Sequence, residues 1–283
     1  MAPRKTDKGK EKDQEKDKGR GKGVRSSNAP APLPEPDRTI HVHTPPLLPP
    51  APVADGFDAD EEMSYMVDSV PRKLQLSHLP LLKHPVYIGA IDNFLTEDEC
   101  HSWIDWAEKS GFDEAKQRQT ADMAFRDNGR IQVESPEIAQ LLWLRIRPFV
   151  SETVVEKGKA PRRLVGCSPR IRLYRYSKGQ RFEKHVDGSR DEPSLGGRTH
   201  YTVLVYLNGG ERDVPERRVR GGETVFWKDR GGNPTTVALS FPPTRGICLF
   251  HGHGDECMIH EGALVEAGAK YVLRTDVVIE HEV

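Results

Sequence analysis

From about Arg170 onward, the chain is a succession of short segments with strand-like composition, separated by glycine and proline turns. Several of these segments alternate polar and apolar residues, as half-buried strands do. Because no helical pattern of about 10–15 residues separates them, they predict an antiparallel β unit and not a βαβ fold. A two-sheet jelly roll or a barrel is the expected closure, since both dispose of exposed sheet edges. The segments are RIRLYRY, HYTVLVYLN, ETVFW, TVALSF, GICLF and KYVLRTDVVIE.

Two helices are predicted upstream of the β unit. Thr96 and Glu99 fit a capping box, which satisfies the unpaired amides at a helix start, and apolar residues follow at helical spacing. Ser135 and Pro136 suit the cap and first turn of a second helix. The predicted fold class is therefore α+β, with flanking N-terminal helices packed against a jelly-roll core.

The front of the chain has a different composition. Charged residues make up 30% of the sequence and hydrophobic residues 36%, and the apolar deficit is concentrated in the first 25 residues. A Pro-rich stretch follows, so we expect residues 1–75 to be a disordered tail and linker and residues 76–283 to form one domain. The basic tail suggests either a solvated segment, which we favour, or a nuclear import signal or loose nucleic-acid contact.

Cellular location is predicted from what the sequence lacks. No signal peptide opens it, and no apolar run approaches the ~20 residues needed to span a bilayer. Its four cysteines form no CxxC pair and are expected to be free thiols of a reducing compartment. We therefore expect a soluble, intracellular protein, cytoplasmic or nuclear, without membrane partners. We also expect it to be monomeric or weakly associated.

Two His-x-Asp pairs offer metal ligands, His185 with Asp187 and His253 with Asp255. On a strand, residues two apart project from the same face, so His185 and Asp187 would present an imidazole and a carboxylate side by side. A third ligand must come from a distant strand, with His251, His253 and His260 as candidates and His200 as an outsider. Two histidines and one carboxylate form the facial triad that leaves three positions open on Fe(II).

A co-substrate such as 2-oxoglutarate would fill two of these positions and would need a cation to hold its far carboxylate. Lys270 and Arg274 follow His260 by ten and fourteen residues. They are an even number of residues apart on one predicted strand, so both should face the same side, alternating with Tyr271 and Leu273.

Together these motifs resemble the prolyl 4-hydroxylase-like branch of the Fe(II)/2-oxoglutarate dioxygenases, over roughly residues 85–280. YSKGQRFEKHVDG is similar to the stretch that holds the first two iron ligands, GGETVFW to a Gly-Gly-Glu-Thr turn, and PTRGICLFHG to the segment before the third ligand. HEGALVEAGAKYVL is similar to the closing strand.

The resemblance implies a double-stranded β-helix (jelly-roll) core and assigns roles by position. His185, Asp187 and His260 match the iron ligands, and Lys270 matches the lysine that binds 2-oxoglutarate. Arg274 stands where the family often has a small or neutral residue, so it either shares the co-substrate with Lys270 or faces an acidic group of the substrate. Tyr176 and Tyr206 match phenols near the co-substrate. The implied cofactors are Fe(2+), 2-oxoglutarate and O2, with ascorbate as a further reductant.

Other polar residues carry more ordinary expectations. His253 and Asp255 are expected in a solvated turn or a lid, His200 is expected to be exposed, and His251 is expected to lie beside the site or in the core. The stretch FRDNGR is expected to be an exposed polar loop, with a substrate-facing loop as the alternative, and ERDVPERRVRGGE a solvated loop.

The function expected from the resemblance is hydroxylation of a prolyl residue in a protein or peptide. The alternatives are hydroxylation of a free amino acid or other small metabolite, and a non-catalytic module that retains a metal and binds peptides. A nucleic-acid-directed oxygenase would need a basic, aromatic-lined face on the folded part, and no such face is located in the sequence, so nucleic-acid partners are not expected.

Overall fold

A computed structural model of the protein describes residues 72–73, 87–117, 124–156, 158, 160–228 and 234–282. Almost all of the predicted tail and linker, residues 1–75, therefore lies outside the described residues. Its last part, Arg72–Lys73, forms a two-residue strand, β1, paired with residues 91 and 92. Among the residues that the structure describes, no helix is long and apolar enough to cross a membrane.

Two α-helices and seventeen strands make up the described part of the chain. The helices are α1 (Glu97–Ser110) and α2 (Pro136–Ile146). After β1, the strands are β2 (Ile88–Asp92), β3 (Asp113–Gln117), β4 (Arg126–Glu134), β5 (Thr153–Val154), β6 (Arg162–Cys167), β7 (Arg170–Ser177), β8 (Phe182–His185), β9 (Asp191–Glu192), β10 (Gly197–Tyr206), β11 (Arg220–Gly221), β12 (Thr224–Trp227), β13 (Val237–Phe241), β14 (Cys248–Gly252), β15 (His260–Gly262), β16 (Val265–Ala267) and β17 (Ala269–Glu280).

Most of the strands belong to one curled antiparallel sheet, with the order β1-β2-β14-β10-β17-β7-β4-β8-β15-β12-β13. The larger half runs from β2 to β4, and the smaller half comprises β8, β15, β12 and β13. Strand β4 joins the halves by pairing along its length with β7 and, at Arg126, with Phe182 of β8. This arrangement confirms the predicted α+β fold class with a jelly-roll core.

Both helices begin where the sequence predicted. Thr96 Oγ1 accepts a hydrogen bond from Glu99 N at 3.3 Å, and Glu99 Oε2 accepts one from Thr96 N at 2.8 Å, which completes the capping box. Ser135 caps α2 by accepting from Ile138 N at 3.2 Å. Glu99 also binds Arg145 of α2 at 2.6 Å, and this buried ion pair links the two helices.

The main hydrophobic core lies between the helices and the outer face of the larger half of the sheet. Trp103 and Leu142 from the helices pack with Ile171, Leu273 and other buried side chains of the strands. The opposite face of the same strands is left for the interior of the curled sheet, and it holds most of the polar residues discussed below.

The expectation of an exposed loop at FRDNGR is wrong. Residues 126–134 form β4, and Asn128 is fully buried with its amide nitrogen donating to Gly129 O at 2.8 Å. The charged stretch after Leu207 is likewise more integrated than a solvated loop, because Asp213 is buried and accepts a hydrogen bond from Gly209 N. In both stretches the charged residues suggest an exposed loop, but the backbone is held in place by the sheet and its turns.

Candidate active site

A cavity lies between the two halves of the curled sheet. The larger half contributes residues of β7, β10, β14 and β17, and the smaller half contributes residues of β8, β12 and β15. The side chains on its wall include Tyr174, Tyr176, Phe182, His185, Asp187, Thr202, Leu204, Thr224, His251, His260, Lys270, Val272 and Arg274. Six of the seven predicted site residues are in this set.

The three predicted iron ligands meet at one end of the cavity. Strand β15 pairs with β8 so that His260 stands opposite His185, and Asp187 follows two residues after His185. Asp187 Oδ1 lies 3.7 Å from His185 Nε2, and Asp187 Oδ2 lies 3.9 Å from His260 Nε2. One donor atom of each residue lies within 4.8 Å of the others, so the three side chains can share a metal ion.

The backbone fixes the tautomer of both imidazoles. His185 Nδ1 donates to Glu183 O at 2.7 Å and His260 Nδ1 donates to Met258 O at 2.9 Å. A carbonyl oxygen can only accept, so Nδ1 carries the proton and Nε2 presents its lone pair to the cavity. Phe182 stacks on the His185 ring with centroids 3.6 Å apart and sets its plane.

Burial keeps these imidazoles neutral. Burial, together with the neighbouring His260, lowers the pKa of His185 to about 3, and burial also lowers the pKa of His260. A neutral imidazole is the form that binds a metal, so neither residue must lose a proton to become a ligand at neutral pH.

Asp187 is ionised. Burial opposes its ionisation, but the Arg274 guanidinium outweighs burial and holds the pKa of Asp187 well below its usual range. Arg274 Nη2 lies 3.1 Å from Asp187 Oδ2, and Thr202 Oγ1 donates to the same oxygen at 2.6 Å. Arg274 therefore acts at the metal end of the cavity.

Lys270 lies buried in another part of the cavity wall. Its Nζ donates to Gly222 O at 2.7 Å and lies 5.7 Å and 5.3 Å from the ring centroids of Tyr176 and Tyr206. Burial lowers the pKa of Lys270 to about 8. The turn below it needs glycine, because Gly222 has φ +73° and an added Cβ would lie 3.2 Å from Lys270 Cδ.

Lys270 and Arg274 face the same side of β17, as their even spacing predicts, and both line the cavity together with Val272. Tyr271 and Leu273 point to the other side, where they join or pack against the main core. The structure thus gives the two cations different neighbours: Lys270 is near Tyr176, and Arg274 is near Asp187.

The two tyrosines differ in their relation to the cavity. Tyr176 lies on its wall, whereas Tyr206 is fully buried and stacks on Phe241. The Tyr206 hydroxyl is 2.7 Å from Oγ1 of Thr224, which itself lines the cavity. Tyr206 therefore does not line the cavity, but it contacts two residues that do, Thr224 and Lys270.

Two expectations about histidines are wrong. His253 is 5% exposed rather than part of a solvated turn, and its Nε2 lies 2.7 Å from Thr202 Oγ1. Only Asp255 of that pair is exposed, in a short 3-10 turn. His200 is 2% exposed, because it lies in β10 under the turn that carries Glu256.

Sequence reasoning did not single out the polar side chains that surround Asp187. Thr202 bridges Asp187 and His253, and Arg172 forms a buried ion pair with Asp276. Thr202 could have been found, because it is in phase with Leu204 and Tyr206 on a strand whose inner face lines the cavity. No local signal marks Arg172, which resembles any charged residue on a strand.

The segment that holds the site is similar to known proteins. A family model described as the 2OG-Fe(II) oxygenase superfamily matches residues 171–275. Prolyl 4-hydroxylase 2 of Arabidopsis thaliana is 27% identical over 151 residues, which are 48% of this chain and 42% of that protein. The chain therefore spans less than half the length of this curated relative.

Solved structures with a similar fold include two prolyl hydroxylases. The viral collagen prolyl hydroxylase of Paramecium bursaria Chlorella virus-1 is 20% identical, with a TM-score of 0.44, over 69% of this chain and 97% of that one. The Trichoplax adhaerens prolyl hydroxylase, solved with a hypoxia inducible factor peptide fragment, is 16% identical, with a TM-score of 0.48, over 69% and 84%. The part of the chain that holds the site residues is thus similar to the 2OG-Fe(II) oxygenase superfamily and to a prolyl 4-hydroxylase.

Proposed function

We propose that the protein is an Fe(II)/2-oxoglutarate-dependent dioxygenase that hydroxylates a C–H bond of its substrate, with release of succinate and CO2. The observation that carries this proposal is one cavity lined by a His-Asp-His cluster and by a buried lysine. The His-Asp-His cluster suits a hard divalent metal, and the lysine suits a carboxylate.

The metal-binding residues fit iron. Two imidazole Nε2 atoms and one ionised carboxylate converge, and each imidazole is held by a carbonyl behind it. This donor set is the facial triad of non-haem Fe(II) oxygenases, and the carbonyl contacts are the kind of support that orients metal ligands. Iron bound there with 2-oxoglutarate and dioxygen would supply an oxidant that takes hydrogen from a substrate carbon and returns hydroxyl.

Lys270 fits the far carboxylate of 2-oxoglutarate. An ammonium group has three donors, and Gly222 O accepts from one of them, so the group can also bind an anion. Its 4% exposure places this charge where water screens it little, which strengthens attraction to a carboxylate. Thr224 Oγ1 and Tyr176 line the same cavity and offer further polar contacts.

The chain's other residues hold the ligands and exclude water. Arg274 and Thr202 keep Asp187 ionised and oriented, and Phe182 fixes the plane of His185. Leu204 and Val272 contribute apolar side chains to the cavity wall. A dry wall protects a reactive oxidant from side reactions with solvent.

A prolyl residue in a protein or peptide is the substrate that we propose. The proposal is supported by the family branch and by the prolyl 4-hydroxylase of Arabidopsis thaliana. Where β4 meets β8, the Arg126 guanidinium lies 5.5 Å from the Tyr174 ring and 5.1 Å from the Phe182 ring, and both rings line the cavity. This cationic, aromatic edge can contact the backbone carbonyls and proline rings of an extended peptide.

The test is an anaerobic titration of the purified protein with Fe(II) and 2-oxoglutarate, monitored for the visible charge-transfer band of the ternary complex. We expect the band with the wild type and its absence with His185→Ala. Folded wild-type protein that binds Fe(II) but gives no band would contradict the enzyme proposal and favour a metal-retaining binding module.

Substrate class is tested separately by succinate release. Proline-containing peptides should stimulate release above the uncoupled rate, whereas free proline should not. The reverse result would favour the alternative, hydroxylation of a free amino acid or another small metabolite. A role for ascorbate, a monomeric state, a cytoplasmic or nuclear location and the absence of nucleic-acid partners stay predictions.

A further inference from the structure

His253 bridges two threonines of β10. Its Nδ1 lies 3.2 Å from Thr199 Oγ1, and its Nε2 lies 2.7 Å from Thr202 Oγ1. Residues three apart on a regular strand point to opposite faces of the sheet. A β-bulge between Thr199 and Tyr201 shifts the register of β10, and a bulge re-aims side chains, so both hydroxyls can meet one imidazole.

The direction of these hydrogen bonds follows from Asp187. This carboxylate is ionised and can only accept, and Thr202 Oγ1 lies 2.6 Å from its Oδ2, so the hydroxyl donates its single proton to Asp187. Thr202 must then accept the hydrogen bond at His253, because it has no second proton to donate. Arg274 Nη2 donates to the other acceptor position of the hydroxyl, at 3.1 Å. His253 therefore carries its proton on Nε2.

The other ring nitrogen extends this set of hydrogen bonds. Neutral His253 has no proton for Nδ1, so Nδ1 accepts from the Thr199 hydroxyl, and Thr199 Oγ1 accepts in turn from Arg190 N at 2.9 Å. Burial lowers the pKa of His253, in agreement with the neutral form. Arg190 follows Asp187 by three residues. These hydrogen bonds and the backbone of residues 187–190 form a closed ring that begins and ends at Asp187.

His253 differs from the two ligand histidines in tautomer and in position. His185 and His260 carry their protons on Nδ1, whereas His253 carries its proton on Nε2 and lies outside the cavity wall. We propose that His253 is a positioning residue of the metal site, which holds the Asp187 carboxylate in its metal-binding orientation through Thr202. The inference rests on the proposed function and leaves its three ligands and its three open positions unchanged.

The tautomer is tested first, on the metal-free wild-type chain at neutral pH. Long-range proton–nitrogen NMR distinguishes protonated from unprotonated imidazole nitrogens, and the His253 signals are assigned by their loss in His253→Gln. We expect Nε2–H for His253 and Nδ1–H for His185 and His260. Nδ1–H at His253 would overturn the proposal, because the Thr202 hydroxyl would then donate to the imidazole and not to Asp187.

The effect on the metal is tested by Co(II) titration of the full chain without 2-oxoglutarate, by calorimetry and by the visible spectrum, which reports coordination geometry. The matched variants are His253→Met and His253→Gln, whose side chains have the same length and differ in the N–H that can reach Thr202. His200→Met is the control, since His200 is also buried but lies outside the cavity wall. Near-UV circular dichroism confirms that each variant is folded.

His253→Met should weaken Co(II) binding by about three- to tenfold, the range that corresponds to the net contribution of one hydrogen bond. His253→Gln should recover most of that loss, and His200→Met should leave the affinity unchanged. Thr202→Val should weaken binding by about 10- to 100-fold, as loss of a partner of a metal ligand does. Adding His253→Met to Thr202→Val should have no further effect, because His253 acts through the Thr202 hydroxyl.

Three results would contradict the proposal: an unchanged affinity in folded His253→Met, an equal loss in His253→Gln, or an additive loss in the double variant. If His253→Met does not fold, His253→Asn takes its place, because its amide is too short to reach Thr202.

Wild-type protein that binds no Co(II) would overturn both this inference and the proposed function. If Co(II) binding depends on His253 but no charge-transfer band forms with Fe(II) and 2-oxoglutarate, only the proposed function fails. A charge-transfer band in a protein whose Co(II) affinity does not depend on His253 overturns this inference alone.

Discussion

Strand β17 has two faces with different physical properties. On the outer face, Leu273 and Val277 are fully buried in the main core, and Tyr271 packs against it. On the inner face, Lys270 and Asp276 are buried and Arg274 is partly buried, but all three are charged. The alternation of a strand places an apolar and an ionic environment one residue apart.

The comparison shows how stability and chemistry are divided in this fold. The outer face gains free energy from apolar area removed from water, whereas the inner face needs partners for each buried charge. Those partners are other inner-face groups, such as Asp187 for Arg274 and Arg172 for Asp276. Substitutions on the two faces should therefore have separable effects on folding and on binding.

The largest effect is expected from His185→Ala, on the cavity side. The variant loses one of the three predicted iron ligands. Loss of a residue that only supports a metal ligand lowers metal affinity by up to about 100-fold, so loss of a ligand itself should lower Fe(II) affinity by more than that. Calorimetric titration measures the affinity. The thermal midpoint of the metal-free protein should change by no more than about 3 °C, and a collapse of the fold would show that the two sides are not separable.

Leu273→Ala tests the outer face. Leu273 is fully buried, so truncation should lower the free energy of unfolding by about 2–5 kcal/mol, as measured by urea denaturation. Leu264→Ala is the control, because Leu264 is 44% exposed and its loss should change stability by no more than about 0.5 kcal/mol. Fe(II) affinity at a temperature where the variant is folded should stay at the wild-type value, and a large loss would contradict the division between faces.

Lys270→Met removes the cation predicted to bind 2-oxoglutarate. A charged hydrogen bond contributes about 1.5–3 kcal/mol, so the dissociation constant for 2-oxoglutarate should rise by about 10- to 100-fold. Lys270→Arg should retain part of the affinity. Fe(II) binding without the co-substrate should be unaffected, and weaker metal binding would mean that Lys270 also acts at the metal end.

The smallest effect concerns pH. Lys270 is charged below its pKa of about 8, and a carboxylate binds the charged form, so 2-oxoglutarate affinity should be constant below pH 7 and decline above pH 8. The decline approaches about tenfold per pH unit once the lysine is mostly neutral. Calorimetry between pH 6.5 and 9.5 checks this, with Lys270→Arg as a control whose affinity should not decline in that range.

Much of the site could be predicted from sequence because its residues lie in motifs with fixed spacing. The His-x-Asp pair on a strand, the lysine ten residues after His260 and the Gly-Gly turn all depend on local geometry. The capping box at Thr96, the Ser135 cap and the alternation along β17 are local as well. These features need no knowledge of which strands are neighbours.

The parts that could not be predicted depend on long-range pairing. His251 was expected beside the site or in the core, and it lies on the cavity wall, but its position opposite Asp187 depends on the register between β14 and β10, which no local pattern indicates. His253 has glycines on both sides and looks like a loop residue, yet contact with Thr202 buries it. Arg126 and Arg130 suggest a loop because charged residues are usually exposed, whereas here they lie on a strand at the junction of two half-sheets.

Under the proposed function, Gly222 limits the length of the acid that can reach from Lys270 to the metal ligands. The depth of the Lys270 ammonium is set by a backbone carbonyl in a turn with positive φ, and a side chain at position 222 would crowd the lysine stem. The group that holds the Lys270 ammonium is therefore a main-chain carbonyl, which side-chain substitutions in the turn cannot move without strain. To make the protein accept a longer or shorter 2-oxo acid, residue 270 itself should be replaced, because the length of its side chain can be changed without altering the turn.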